Sequence, residues 1–377
     1  MDGRPDIAEA IELLPLGPLR PALAGVDAYL VGGVVRDLLR GDDPGPDIDI
    51  AIDGDLGPLL ASLEMMARIE VVARHERFAT ASVLAGGASV DLTRTRFESY
   101  AFPGALPDVS PAPIGRDLER RDFTVNAIAV ELGTPDHLVD PFDGATDLRQ
   151  GVLRVLHPAS LRDDPTRAVR AARYASRLDL DPEPQTLELL RAADLSTVSA
   201  ERLDVELRRL AGEPAAARGF ELLVEWGLLD PAPGTIGLIA AVDEHAALPP
   251  WSEDPSARAD AILIAVAGGE RAEATMCLAR AQPERPSEAV RVAAGHEPGE
   301  LLLAAAAGAE WIDPYLSDWH SMRLEINGGD LIAAGIPPGP AIGLGLRGAL
   351  ERKLDGGLPG GREEELEVAL AIARAAI

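Results

Sequence analysis

Three groups of residues in this chain have the types and spacing for chemistry on phosphates. The first runs from Gly32-Gly33 through Arg36 to Asp47-Ile-Asp49. Adjacent glycines at a helix start leave backbone N–H groups open to a polyphosphate, and Arg36, one turn further on, adds positive charge. Asp47 and Asp49 lie two residues apart, so on a strand both carboxylates project from one face while Ile48 and Ile50 enter the core. Paired carboxylates on a rigid strand suit a hard, oxygen-preferring cation such as Mg2+, which takes substrate phosphates as further ligands. Metal-assisted phosphoryl or nucleotidyl transfer is the chemistry implied. Taken singly, a glycine pair is most often a turn and Asp-x-Asp a solvated strand end. The two together at this spacing are rarer.

The second group is Asp117-Leu-Glu-Arg-Arg121-Asp122-Phe-Thr-Val-Asn126, whose charges before an apolar segment read on their own as a solvated helix end. The third is Asp163-Asp164-Pro-Thr-Arg167-Ala-Val-Arg170-Ala-Ala-Arg173-Tyr-Ala-Ser-Arg177. Acidic residues and Pro165 mark a helix start, and the four arginines fall on one stripe. A solvated salt-bridge face is the plain reading of such a stripe. Yet residues 149–177 hold seven arginines against two aspartates in a chain of net charge −27, so the local sign is reversed. Asp164 and Arg167, at i and i+3, set an acceptor beside a donor. Cytosine and adenine offer an amine donor beside a ring-nitrogen acceptor, whereas guanine and uracil offer the reverse. A fixed acceptor-donor pair therefore selects C and A, with mispairing worth about 10⁴-fold because it strands buried polar groups.

These residues need a frame. Ala28–Val31 reads as a strand, Val34–Arg40 as a helix and Asp47–Ile52 as a strand; Leu56–Ala67 follows as a helix, then Ile69–Ala73, Phe78–Leu84 and Ala88–Thr93 as strands of the same sheet. In the last, Asp91 points away from Val90 and Leu92, either as a third acid near Asp47 and Asp49 or as a plain strand-end aspartate. Residues 94–118, rich in proline, glycine and aromatics, read as a long functional loop, and residues 140–151 as a turn-rich hinge. Beyond Gln150 the pattern is helical. Ser199 is placed to cap an amphipathic helix over 198–210 with a packing role, and Trp226, Trp251, Trp311 and Trp319 read as core or interface. The predicted organisation is a lead-in over 1–25, a mixed α+β head over 26–148, a helical neck over 149–212, a helical body over 213–320 and a helical tail over 321–377.

Composition narrows the partners. A net charge of −27 argues against loose, whole-surface affinity for nucleic acid, so any RNA contact must be local. Of 35 basic residues only Lys353 is lysine; genomic base composition accounts for the overall count, and arginine's phosphate-matching fork for particular clusters. The single cysteine, Cys277, allows no internal disulfide and is expected as a buried thiol in a helix. The acidic N-terminus has no basic-then-apolar leader, and apolar runs such as 301–309 are too short to span a bilayer; a cytoplasmic protein without membrane contact is the expectation.

Gly-Gly-x-Val-Arg-Asp-x-Leu followed by Asp47-x-Asp49 resembles the first motif of the class II tRNA nucleotidyltransferases (CCA-adding enzymes) and bacterial poly(A) polymerases, a branch of the polymerase-β-like superfamily. Arg120-Arg-Asp-Phe-Thr-Val-Asn-Ala127 matches a second motif of that family, and Asp163-Asp164-Pro-Thr-Arg167 its Glu-Asp-x-x-Arg motif with Asp163 in place of the glutamate. The resemblance is firm over 28–210 and looser over 322–370. It implies an α+β nucleotidyltransferase head followed by an all-α neck, body and tail. Asp47 and Asp49 would hold Mg2+; Gly33, Arg36 and Arg121 would hold the triphosphate, with Asp122 and Asn126 as ribose or scaffold contacts. Asp164 and Arg167 would choose CTP and ATP, and Arg170 and Arg173 would help to position the nucleotide. The implied partner is tRNA, also through the tail, and the implied reaction adds C and A to its 3′ end. The 94–118 loop, on which terminal-A addition depends in the family, leans toward A addition. The Ser-x-Glu-Arg at 199–202 resembles CCA-adding enzymes more than poly(A) polymerases. A poly(A) polymerase, a CC- or A-adding half-enzyme and a catalytically silent RNA-binding relative are the alternatives.

Overall fold

The computed structural model describes residues 7–75, 79–135, 137–358 and 361–377. Helices α1 (Ile7–Leu13) and α2 (Arg20–Leu23) lead into β1 (Ala28–Val31), α3 (Gly33–Arg40), β2 (Asp47–Ile52) and α4 (Leu56–Glu64). The strands β3 (Ile69–His75), β4 (Thr80–Ala85) and β5 (Ala88–Arg94) follow, and the expected strand start at Phe78 lies outside the described residues. Glycine punctuates the first three elements: Gly32 has φ 72° where β1 turns into α3, and Gly41 ends that helix with φ 78°.

The expected loop over 94–118 is largely structured. Strands β6 (Arg96–Ser99) and β7 (Asp108–Pro111) pair antiparallel, and α5 (Ile114–Glu119) follows. After β8 (Ala129–Glu131) and β9 (Leu138–Val139), the expected hinge contains a helix, α6 (Gly144–Gln150). Asp140 closes its entry by accepting from the N–H groups of Gly144 and Ala145 at 2.8 and 2.9 Å. Its side chain thereby satisfies donors that the first turn leaves open.

Seven strands form one sheet in the order β3-β4-β5-β2-β1-β8-β9, with β2 and β5 parallel and the other pairs antiparallel. Helices α3 and α4 cover one face, where Leu30, Ile48, Ile50, Val90 and Leu92 are buried with Val34, Val35, Leu60 and Leu63. Period-two alternation sends Asp47, Asp49 and Asp91 to the opposite face.

The two-residue strands β10 (Val152–Leu153) and β11 (Asp181–Pro182) pair around α7 (Ser160–Asp163) and α8 (Thr166–Leu178); α9 (Pro184–Arg191) and α10 (Ala200–Ala211) complete this region. The helix start expected at Pro165 is where α8 begins, and a separate short helix, α7, precedes it. Asp164 is extended (φ −135°, ψ 92°) and Pro165 restarts the chain as α8, because proline disfavours helical backbone in the residue before it.

By compactness the chain divides into residues 1–210 with 218–229, and 211–217 with 230–377. The second unit is helical. Its helices Pro340–Leu354 and Arg362–Ala375 cross closely at Gly345 and Gly348, where an added Cβ would lie 2.6 Å from the Ala369 carbonyl and from Ile372 Cδ1 respectively. Trp226 and Trp251 are buried, the latter donating Nε1–H to Asp313 at 3.0 Å. Cys277 is exposed, contrary to expectation: the helix Gly269–Arg280 buries Thr275 and Leu278, and position 277 lies off that stripe. Among the described residues no helix is long and apolar enough to cross a membrane.

Candidate active site

The acidic face of the sheet opens into a cleft of about 700 Å³ walled by the first unit. Asp49 lines it. Parallel pairing of β2 with β5 sets Asp91 level with Asp49, and Ser82 Oγ donates to Asp91 Oδ1 at 2.6 Å. The strand-end alternative for Asp91 gives way to an acidic neighbour of Asp49. Burial raises the Asp49 carboxyl above its ordinary value; Arg121 opposes this, while Asp91 and Asp47 add to it. Asp47 is exposed on the same face of β2 but does not line the cleft. Among the described residues no three His, Cys, Asp or Glu side chains already converge as a metal cage. The donor set is all carboxylate, with Asp49 open to the cleft, which fits a hard cation that completes its shell with phosphate and water.

Close backbone approach falls at Gly32 more than at Gly33. A Cβ on Gly32 would stand 2.9 Å from Arg121 Nη1 and 3.9 Å from Asp49 Oδ2, whereas Gly33 meets only Arg36 Nη2 at 3.5 Å. Arg121 donates from Nη2 to Asp117 Oδ2 at 3.1 Å, and its buried Nε has no partner among the described residues. A guanidinium with an unused buried donor, held beside a glycine turn and a carboxylate, is equipped for an anion.

Arg36 does not reach the cleft wall. It is 2% exposed and spends its donors on Asp37, at 2.7 and 3.0 Å, and on Asn126 Oδ1 at 2.6 Å. Asn126 in turn donates to Asp122 Oδ1 at 2.9 Å, and Asp122 Oδ2 accepts from Arg170 Nε and Nη2 at 2.8 and 2.6 Å. Arg170 faces Glu206 at 3.8 Å, and Arg209 donates to Glu206 at 2.7 Å. The network gives Asp122 and Asn126 scaffold contacts, and both also line the cleft. Burial alone would raise the Asp122 carboxyl; Arg170 and the bond from Asn126 outweigh it and hold the group far below its ordinary value. Asp122→Asn should therefore destabilise the protein by about 3 kcal/mol, because a buried guanidinium loses its counter-charge. A depressed folded-state pKa contributes stability above the unfolded carboxyl pKa of about 4 that is lost as pH falls below it. Urea unfolding from pH 7 to 3 should show that acid loss in the parent and a shallower one in the variant.

The pair expected to read the base, Asp164 and Arg167, sits at the α7–α8 break. Arg167 is 6% exposed and donates to Ser160 Oγ at 2.6 Å and to the Arg120 carbonyl at 2.7 Å. Asp164 Oδ1 accepts from the Thr166 N–H and hydroxyl at 3.2 and 2.7 Å. Both residues line the same cleft as Asp49, Arg121 and Arg170; Arg173 does not. Arg173 instead stacks on Tyr174, its guanidinium 4.7 Å from the ring centroid, with those of Arg36, Arg170 and Arg177 at 5.4, 5.6 and 6.0 Å. One aromatic ring thus organises the arginine stripe. Tyr174 and Arg202 are cleft residues that the sequence reading left out, although Tyr174 lies inside the stripe and Arg202 ends the Ser-x-Glu-Arg motif.

Comparison with known proteins places this arrangement in a class. A Poly A polymerase head domain matches residues 28–154, and a probable RNA and SrmB-binding site of polymerase A matches residues 179–236. The chain belongs to the class II CCA-adding and poly(A)-polymerase-like nucleotidyltransferase family. A CC-adding tRNA nucleotidyltransferase from Deinococcus radiodurans is 34% identical over 87% of this chain and 84% of its own. A CCA-adding enzyme from Limosilactobacillus fermentum is 30% identical over 92% of this chain and 95% of its own. A Thermotoga maritima CCA-adding enzyme, solved with tRNA, superimposes with a TM-score of 0.70 at 27% identity, covering 98% of this chain and 96% of that one.

Proposed function

We propose that this enzyme adds C and A to the 3′ end of tRNA without a template, taking CTP and ATP and releasing pyrophosphate. The observation that carries this reading is that an acceptor, Asp164, and a donor, Arg167, share one cleft with Asp49 and Arg121. Base choice and phosphate chemistry therefore meet in a single space. Asp47 and Asp49, with Asp91 beside them, would hold Mg2+, which when bound acidifies the RNA 3′-hydroxyl and offsets charge on the departing pyrophosphate. Arg121, with the backbone at Gly32-Gly33, binds the triphosphate. Arg167 donates to the base's ring nitrogen, and Asp164 accepts from its exocyclic amine. Arg36 and Arg170 act through Asn126 and Asp122, holding the floor of the cleft.

The test is incorporation on tRNA transcripts ending at the discriminator base, at C and at CC, with labelled CTP, ATP, GTP and UTP supplied singly and CTP with ATP together. Growth of the first transcript to CCA is expected, and long A-tails on unrelated RNA would overturn the reading in favour of a poly(A) polymerase. The likeness to a CC-adding enzyme favours one second reading, in which growth stops at CC and ATP is refused.

A further inference from the structure

We infer that Arg202 governs base choice as a positioning residue, bridging the Asp164 carboxylate to the backbone of Gly104; this rests on Asp164 and Arg167 being the base-reading pair. Arg202 stands on α10 and donates from Nη2 to Asp164 Oδ1 at 2.9 Å and from Nη1 to the Gly104 carbonyl at 2.7 Å. With the two bonds from Thr166, three donors from two residues meet one oxygen: the Thr166 N–H, the Thr166 hydroxyl and Arg202 Nη2 all donate to Asp164 Oδ1. The carboxylate cannot rotate without breaking them, and Oδ2 is left as the acceptor for an exocyclic amine.

Gly104 is equally fixed. Its N–H donates to the Asp163 carbonyl at 3.2 Å, its φ is +75°, and an added Cβ would lie 2.4 Å from the Thr197 carbonyl. The segment joining β6 to β7 is therefore wedged between the end of α7 and the turn before α10, and its carbonyl anchors one arm of Arg202. Both arms are needed. A guanidinium presents two donors in a rigid fork, whereas an ammonium is a single point that serves one partner well. The side chains of Arg202 and Asp164 are 26% and 19% exposed, so the bridge is shielded from water on most sides.

The consequence is chemical. A carboxylate locked by its Oδ1 accepts from an amine at one place, where cytosine and adenine carry theirs. Released, it can swing to accept the ring N–H of uracil or guanine, and discrimination falls because it depends on the wrong base stranding polar groups.

Steady-state incorporation of CTP and UTP on a tRNA ending at the discriminator base, with kcat and KM resolved, tests this in the parent, Arg202→Met, Arg202→Lys, Gly104→Ala and the Arg202→Met/Gly104→Ala double variant. The CTP to UTP ratio of kcat/KM should fall at least tenfold in Arg202→Met and Gly104→Ala and less in Arg202→Lys. The double variant should be no worse than the poorer single one, since both break the same bridge. Thermal unfolding identifies any variant that does not fold, and Arg202→Lys keeps the test open if Gly104→Ala is one. An equal loss for both nucleotides, with the ratio unchanged, would overturn the bridge while leaving the function reading intact. A parent enzyme that incorporates neither nucleotide would remove that reading and the bridge with it.

Discussion

Asp49→Asn should fold, melt no lower than the parent and incorporate nucleotide at least about 10³-fold more slowly. The two halves of this outcome have one cause. Asp49 stands where burial and the neighbouring Asp91 and Asp47 disfavour its charge, with only Arg121 opposing. An amide of the same shape relieves the repulsion, and it also removes the hard anionic oxygen that a divalent cation requires. Differential scanning calorimetry beside a single-turnover assay with saturating Mg2+ separates the two effects. Parent-like turnover in Asp49→Asn, or in the Asp47→Ala/Asp49→Ala double variant, would remove the metal assignment.

The second large effect concerns the base. Asp164→Asn keeps an oxygen for Thr166 and Arg202 but puts an NH2 where the acceptor stood. That group meets the amine of cytosine or adenine donor to donor, and a buried mismatch of this kind is worth about 10²- to 10⁴-fold. The kcat/KM for CTP and ATP should fall by about 10²-fold or more, and that for UTP much less, since O4 of uracil accepts from the new NH2. Measured with all four nucleotides on one tRNA, an unchanged preference for C and A would show that the base is read elsewhere.

Much of this was legible before any coordinates. The strand-turn-helix-strand run from Ala28 to Ile52 depends on local rules: alternation in Asp47–Ile52, a glycine with positive φ at 32, and another at 41. The sharing of one cleft by Asp49, Arg121, Asp164 and Arg167 followed from resemblance. What escaped depends on distant partners. Arg36 after a glycine pair looks like a phosphate ligand, yet its partner Asn126 lies ninety residues on, and no local pattern links the two. Arg202 belongs to an amphipathic helix whose packing role is real, and its bond to Asp164 spans 38 residues. The strands at Arg96–Ser99 and Asp108–Pro111 are four residues each and set among prolines, too short to give a clear alternation. Cys277 needed knowledge of which stripe of its helix faces inward.

The run of hydrogen bonds and one ion pair from Asp37 through Arg36, Asn126, Asp122 and Arg170 to Glu206 and Arg209 separates two meanings of modularity. The segment recognisable across relatives as a head closes at residue 154, but the partner of Asp122 stands at 170 and the carbonyl that receives Arg40 belongs to Leu178. Severed there, the head would keep every acidic strand of its sheet and lose the cation that neutralises the buried acid Asp122. The matched head segment, 28–154, is thus smaller than the bonded unit, which is expected to unfold as one piece. Swaps between relatives should therefore be cut beyond Arg209, so that every link of the run is exchanged together.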